Sequence, residues 1–203
     1  MIVVNVKQCS PEWHKLRCGI PTSSKFDKII TSTGARSGQL EDAAIRLACE
    51  ILTGEPSAFF QTKWMKRGNM LEPQARLYYE MISNPSVTVD EVGLIYKDEA
   101  RLYSTSTDGL ISDKKGLLEI KCPSPDTQAE YLLLNEFPKK YMPQVQGELF
   151  VSGLEYCDFL SFCPGMKHFI CRVFPDLEYH KKLEYLLMKT IELRDSYVEK
   201  LGR

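Results

Sequence analysis

A mixed α/β fold, with a central mixed β-sheet flanked by helices, is the class this sequence predicts, and three observations predict it. Apolar residues recur at helical spacing towards both ends, short β-prone runs bounded by turn signals fill the middle, and helical and strand-like segments alternate in the last third. Of the 203 residues 43% are hydrophobic and 26% charged, the ordinary balance of a chain with a packed core. No repeat, low-complexity tract or linker-like run divides the chain, so residues 1–203 read as one domain.

Each element follows from local chemistry. Ser10-Pro11-Glu12 opens a helix to Arg17, with a capping hydroxyl, proline in the first turn, an acid early and bases late. Thr22 or Ser23 caps a second helix running to Ile30, and the small polar residues of 31–38 form a loop. Leu40, Ala44, Leu47 and Ile51 mark a helix over 39–52 that stops at Gly54. A further helix covers 63–81, with a kink or restart expected near Glu72 because Pro73 lacks a donor. Residues 87–89, 93–96, 102–107 and 117–121 read as strands, the last two joined as a hairpin by the turn 112–116. Helices resume over 126–151; 156–163 and 168–174 are strands turning at Pro164-Gly165; Asp176 caps a long last helix carrying Leu183, Leu187, Ile191 and Val198 on one face.

Charge and cysteines narrow the class. The formal net charge is −1, so no whole-surface basic field grips nucleic acid; binding to DNA needs a local patch, metal ions or several chains together. Seven cysteines without a CxxC pair speak against a disulfide framework or zinc ribbon and for reduced thiols. The apolar run at Ile2 is too short for a signal peptide and no stretch is long enough to span a membrane, so a soluble, cytoplasmic chain with no membrane partner is expected. His14, His168 and His180 lack ligand spacing; Trp64, Phe59, Phe60, Tyr78 and Tyr79 read as core or subunit interface rather than base-stacking platforms, and Lys139-Lys140 as a solvated loop rather than a phosphate contact.

The chemistry concentrates in Asp108-Gly109 and Glu119-Ile120-Lys121. Strand side chains alternate faces, so Glu119 and Lys121 share one side. Pairing of the two strands sets Asp108 beside Glu119. Two carboxylates and the Ile120 carbonyl are oxygen ligands suited to a hard divalent cation, and Lys121 sits where it can orient a water or help deprotonate it. Glu72, after Arg67-Gly68, is a candidate third acid. Gln144 and Gln146 lie on an otherwise apolar helix, either exposed or projecting an amide into the site.

These segments resemble, in order, the motifs of the phage lambda exonuclease (YqaJ-type viral recombinase) family of PD-(D/E)xK nucleases. They are Trp13-x-x-x-Arg17-x-Gly19-x-x-Thr22-x-Ser24, Arg67-Gly68-x-x-x-Glu72, Asp108-Gly109, Leu118-Glu119-Ile120-Lys121-Cys122-Pro123 and Tyr141-x-x-Gln144-Val145-Gln146. Pro21 before Thr22 and Ser106-Thr107 before Asp108 depart from the family pattern without removing a ligand. The resemblance implies a restriction-endonuclease-like fold and a Mg²⁺-dependent exonuclease, with two ions per site and Mn²⁺ as a substitute. Such an enzyme degrades one strand of linear double-stranded DNA from a 5′-phosphorylated end to mononucleotides. The 3′ overhang it leaves goes to a single-strand annealing protein. The resemblance further implies a homotrimeric ring around the DNA and a phage or prophage gene in a bacterial host.

By the same resemblance Asp108, Glu119, the Ile120 carbonyl and Glu72 hold the metals. Lys121 positions the attacking water, and Gln144 and Tyr141 line the site. Arg17 with Ser24 receives the 5′-phosphate, Arg36 contacts DNA from its loop, and Met65 is an apolar wedge at the terminal base pair. Two other readings stand beside this one: an endonuclease of the same superfamily, including the type with a four-cysteine cluster, and a non-catalytic DNA-end clamp. For Cys157, Cys163 and Cys171 core packing is the expectation.

Overall fold

The computed structural model describes residues 1–57, 62–83, 86–112 and 115–202. In chain order the elements are β1 (Ile2–Val4), α1 (Pro11–Arg17), a 3-10 helix (Ser23–Lys28), α2 (Leu40–Thr53), α3 (Lys63–Ile82), β2 (Val89–Asp90), β3 (Leu94–Tyr96), β4 (Ser104–Thr105), β5 (Gly109–Ile111), β6 (Gly116–Lys121), α4 (Pro125–Leu134), a 3-10 turn (Lys139–Tyr141), α5 (Met142–Ser152), β7 (Tyr156–Ser161), β8 (Phe169–Val173) and α6 (Leu177–Leu201).

The predicted mixed sheet is five-stranded, ordered β2-β5-β6-β7-β8, with β6 and β7 parallel and the other pairs antiparallel. A second, three-stranded antiparallel sheet, β1-β3-β4, was not expected. It exists because the segment 102–107, read as one arm of a hairpin, gives only Ser104–Thr105 to a strand and pairs it with β3. The true partner of β6 is the short β5, with Gly109 opposite Leu118. Gly109 fits there because a Cβ would stand 2.1 Å from Val89 Cγ1 on β2. Of the turn 112–116, residues 113 and 114 lie outside the described residues, as do Phe59 and Phe60.

The larger sheet is covered on both faces. Leu118, Ile120 and Leu160 pack against Ala75 and Tyr79 of α3. Leu117, Cys157 and Phe159 pack against Tyr131 of α4 and Val145 and Leu149 of α5. A strand buried on both sides explains the nearly unbroken apolar run of β6. A third cluster joins Phe26, Ile29, Ile30 and Leu40 to Leu183, Leu187 and Ile191 of α6.

Capping follows the reading at most ends. Ser10 and Asp176 accept hydrogen bonds from the N–H of Trp13 and Tyr179, and Gly54 ends α2 with φ 71°. The second helix is shorter than expected, a 3-10 helix whose cap position, Thr22, makes no side-chain capping bond. The Thr22 hydroxyl instead receives Arg17. α3 runs without restart through Pro73. That proline is exposed, so the carbonyl it leaves without a helical partner is on the wet side. No helix among the described residues is long and apolar enough to cross a membrane.

Candidate active site

The end of β6, the first half of α3 and the start of α5 enclose a cleft of about 400 Å³. Its lining includes Arg17, Ser24, Met65, Glu72, Asp108, Glu119, Ile120, Lys121, Tyr141 and Gln144, drawn from all five motif segments.

Strand geometry places the carboxylates. The carbonyls of Lys115, just before β6, and of Lys121 at its end accept from the N–H groups of Glu155 and Phe162 on the β7 side, at 2.8 Å each. Alternation turns the even residues towards β5. The β5 pairing ends opposite Leu118, so Ile120 presents its peptide group to an open edge, and Asp108 Oδ2 takes its N–H at 2.6 Å. Glu119 points to the opposite face from Ile120, is 1% exposed, and forms an ion pair with Lys121. Its Oε1 also accepts from Gln144 Nε2 at 2.6 Å, while its Oε2 is buried with no hydrogen-bond partner.

The charges are in tension. Burial, together with Glu119 and Glu72, holds the Asp108 carboxyl well above the usual carboxylate range. Burial opposes the charge on Lys121, but Glu119 and Asp108 outweigh it and hold the ammonium above its ordinary range. Lys121 therefore donates hydrogen bonds and has no lone pair to accept a proton. Its Nζ lies 5.2 Å from the centre of the Tyr141 ring, whose hydroxyl meets Tyr131 at 3.4 Å.

Whether these residues suit a metal can be tested on the donors themselves. Among the described residues no three His, Cys, Asp or Glu side chains form a metal-holding group. The cleft instead offers two carboxylates, one with a buried oxygen lacking any partner, and a peptide carbonyl at a strand edge. That all-oxygen set fits a hard divalent cation, whose charge would relieve the repulsion that raises Asp108.

Glu72 lines the cleft but is engaged elsewhere: burial raises its pKa, and its Oε1 pairs with Arg76 Nη2 at 2.8 Å. Arg76, one turn after Glu72, joins several partners. Its side chain is 11% exposed, its Nε donates to the Asp108 carbonyl at 3.1 Å, and Nη1 pairs with Glu91. Arg76→Ala is expected to cost about 1–3 kcal/mol, the range for leaving a buried acceptor unpaired. Urea unfolding measures it, and a cost below a few tenths would show that Asp108 holds its place without Arg76.

At the other end of the cleft Arg17 donates to Thr22 Oγ1 at 2.9 Å and to Ser24 Oγ at 3.3 Å. Its guanidinium lies 3.7 Å from the Trp13 ring centre, and burial lowers its pKa to about 10. Trp13 is pinned through its indole N–H, which reaches the Gly93 carbonyl at 2.9 Å and Ser106 Oγ at 3.0 Å.

Some expectations are corrected. Arg36 lies outside the cleft, exposed on its loop and paired with Glu41 five residues on, which leaves the expected loop contact with DNA neither supported nor contradicted. Gln146 faces away from the site, since two residues along a helix turn the side chain by roughly 200°. It donates to the Phe174 carbonyl and accepts from the Asp176 N–H, at 2.9 Å each, so it secures the start of α6. Trp64 is not core: it is exposed and lines the cleft beside Met65. Cys157 and Cys163 are buried, as core packing predicts, and all seven thiols are free.

Glu148 was missed. It is fully buried, accepts from Gln144 Nε2 at 3.0 Å, and is held well above the usual range by burial and by Glu119. Arg67 was quoted only as part of a motif; its Nη1 grips the carbonyls of Cys122 and Pro123 at 3.1 and 2.9 Å, fastening α3 to the loop after β6.

The family described as the YqaJ-like viral recombinase domain matches residues 12–155, a span that holds every cleft residue named above. The chain belongs to that family. This YqaJ-like chain is similar to the crystal structure of an alkaline exonuclease from Laribacter hongkongensis, at 28% identity and TM-score 0.84 over 96% of this chain and 97% of that one. The same exonuclease in complex with dAMP gives 28% and 0.83 over the same shares. A phage related exonuclease from Haemophilus somnus, 14% identical with TM-score 0.69 over 90% and 96%, shares the fold. An uncharacterized protein of Acanthamoeba polyphaga mimivirus is 30% identical across 53% of the YqaJ-like chain and 22% of its own length. The chain thus spans about a fifth of that curated relative.

Proposed function

We propose that this chain, acting as one domain over residues 1–203, is a Mg²⁺-dependent 5′-to-3′ exonuclease. It degrades one strand of linear double-stranded DNA from a 5′-phosphorylated end to mononucleotides and leaves a 3′ overhang for an annealing protein. One observation carries the reading: a single cleft joins a guanidinium–hydroxyl corner, Arg17 with Ser24, to a carboxylate–lysine centre, Asp108, Glu119 and Lys121. The two ends suit the two phosphates that flank a terminal nucleotide. Similarity to an alkaline exonuclease that binds dAMP supports the same reading.

Asp108, Glu119 and the Ile120 carbonyl are the proposed metal ligands, with Glu72 beside them. Mg²⁺ there supplies a Lewis acid that lowers the pKa of water and offsets phosphate charge. Lys121, kept charged by its carboxylate neighbours, orients the nucleophile by donating to it. Gln144 fixes the Glu119 carboxylate by its amide, and the Tyr141 ring walls the side of Lys121. Arg17 binds the 5′-phosphate through paired N–H donors, which sets the register and hence the direction of travel. A ring of three chains would surround the duplex with basic groups that one chain of net charge −1 lacks. A phage or prophage gene, expressed in a bacterial cytoplasm, suits this activity.

The test is end-labelled linear duplex, with and without a 5′-phosphate, incubated with wild type and Arg17→Ala in Mg²⁺ or in chelator. Wild type should release mononucleotides progressively from the phosphorylated 5′ end and only with the metal. Arg17→Ala should lose the preference for phosphorylated over hydroxyl ends, a factor of roughly ten to a hundred for a charge-assisted phosphate contact. An equal loss on both ends would make Arg17 structural, and cutting of closed circular DNA would make the protein an endonuclease.

A further inference from the structure

The chain has two tryptophans, and the cleft treats them in opposite ways. Trp13 is buried, with its indole N–H paired and the Arg17 guanidinium 3.7 Å from its ring centre. Trp64 lines the same cleft at 54% exposure, in the first turn of α3. Among the described residues the guanidinium found over this ring is that of Arg67, 5.9 Å from its centre, too far to cover it as Arg17 covers Trp13. Its position is nonetheless built. The Thr62 hydroxyl caps the helix by accepting from the Met65 N–H at 3.2 Å, and Arg67, in the next turn, clamps α3 to the carbonyls after β6.

A large aromatic ring left open to water, in a cleft whose other end carries the Arg17 guanidinium and the Asp108, Glu119 and Lys121 charges, is a surface suited to a flat partner. Nucleobases are such partners, because each has a π-face irrespective of sequence. We infer that Trp64 forms a base-stacking subsite for the 5′-terminal nucleotide, whose phosphate rests on Arg17. This rests on the nuclease reading above and adds a base contact to it. The volume of about 400 Å³ is in the range that encloses one nucleotide-sized ligand. Stacking discriminates little between bases, so the subsite strengthens the grip on the end without imposing a sequence.

The experiment compares two probes, 5′-dAMP and 2-deoxyribose 5-phosphate, which share the phosphate and sugar and differ by the base. Wild type should bind dAMP more tightly by roughly five- to a hundredfold. Trp64→Ala should remove most of that ratio and leave binding of the sugar phosphate unchanged, while Trp64→Phe should keep much of it. On linear duplex, Trp64→Ala should raise KM more than it lowers kcat, and an abasic 5′-terminal nucleotide should abolish the difference between variant and wild type. An unchanged dAMP ratio in Trp64→Ala overturns the subsite, as does a proportional loss for both probes. A defect abolished instead by an abasic nucleotide on the 3′-ended strand also overturns it. A wild type that cleaves DNA but binds the two probes equally overturns the subsite and leaves the nuclease reading intact; one that neither binds nor cleaves overturns both.

Discussion

Lys121→Ala is expected to slow strand cleavage by about 10²- to 10⁴-fold, the usual worth of a positioned group that handles a reacting proton or its water, while binding of DNA ends survives. The geometry gives the reason. The ammonium is 26% exposed at the mouth of the cleft, held between Glu119 below and the Tyr141 ring beside it. It is charged in spite of burial because Glu119 and Asp108 favour the charge, so it acts by donating. Removing it has a second effect, because Glu119 is then a buried carboxylate without its counter-ion, at a cost of about 3–5 kcal/mol. Lys121→Arg separates the two effects. It keeps the charge and should fold as the wild type does, yet stay slow, since a planar guanidinium cannot present the compact donor of an ammonium. Circular dichroism establishes folding, end binding in chelator reports recognition, and mononucleotide release reports chemistry. Near-full turnover by Lys121→Ala would remove the residue from the reaction.

Asp108-Gly109 and Glu119-Ile120-Lys121 were legible because their signal is local: two-residue alternation on one strand and an acid at the end of its neighbour. The neighbour itself was misread. Residues 102–107 have the composition of a strand, but β-propensity does not say which sheet accepts it. The chain leaves β4 for the small sheet and begins a new three-residue strand at Gly109, too short to register as a period. The roles of the supporting residues were hidden for a different reason. Trp13 stands one helical turn from Arg17, Arg76 one turn from Glu72, and Glu148 one turn from Gln144. In each pair the nominated residue is oriented or neutralised by a partner at i ± 4. Taken singly, each of the three reads as core or as a solvated charge. Only burial, which depends on what α3 and α5 pack against, turns them into parts of the site. Gln146 shows the converse: its sequence neighbourhood matches that of Gln144, and the helix carries it to the other side.

Asp108→Asn is expected to lower cleavage by at least about a hundredfold, the cost of removing one preorganised electrostatic group, and to leave the protein as stable as before or more so. The two halves have the same origin. Asparagine keeps a carbonyl oxygen for the Ile120 N–H, now met by Oδ2 at 2.6 Å, so the strand edge keeps its bond. What disappears is a carboxylate that burial, Glu119 and Glu72 push to a high pKa. A carboxyl whose folded pKa lies above its unfolded one binds its proton more tightly when folded. It therefore weakens the metal-free protein progressively as pH rises from the ordinary aspartate range through the raised value. The substituted amide does not titrate, so in chelator the variant should melt with the wild type in acid and above it as pH rises. Added Mg²⁺ should raise the Tm of the wild type, because a ligand that binds only the folded state stabilises it by mass action, and should do little for the variant. A variant that melts lower than the wild type across the whole pH range would mean that Asp108 is a structural acid, and the metal site would have to be sought elsewhere in the cleft. Stability gained where activity is lost marks a carboxylate kept for its chemistry.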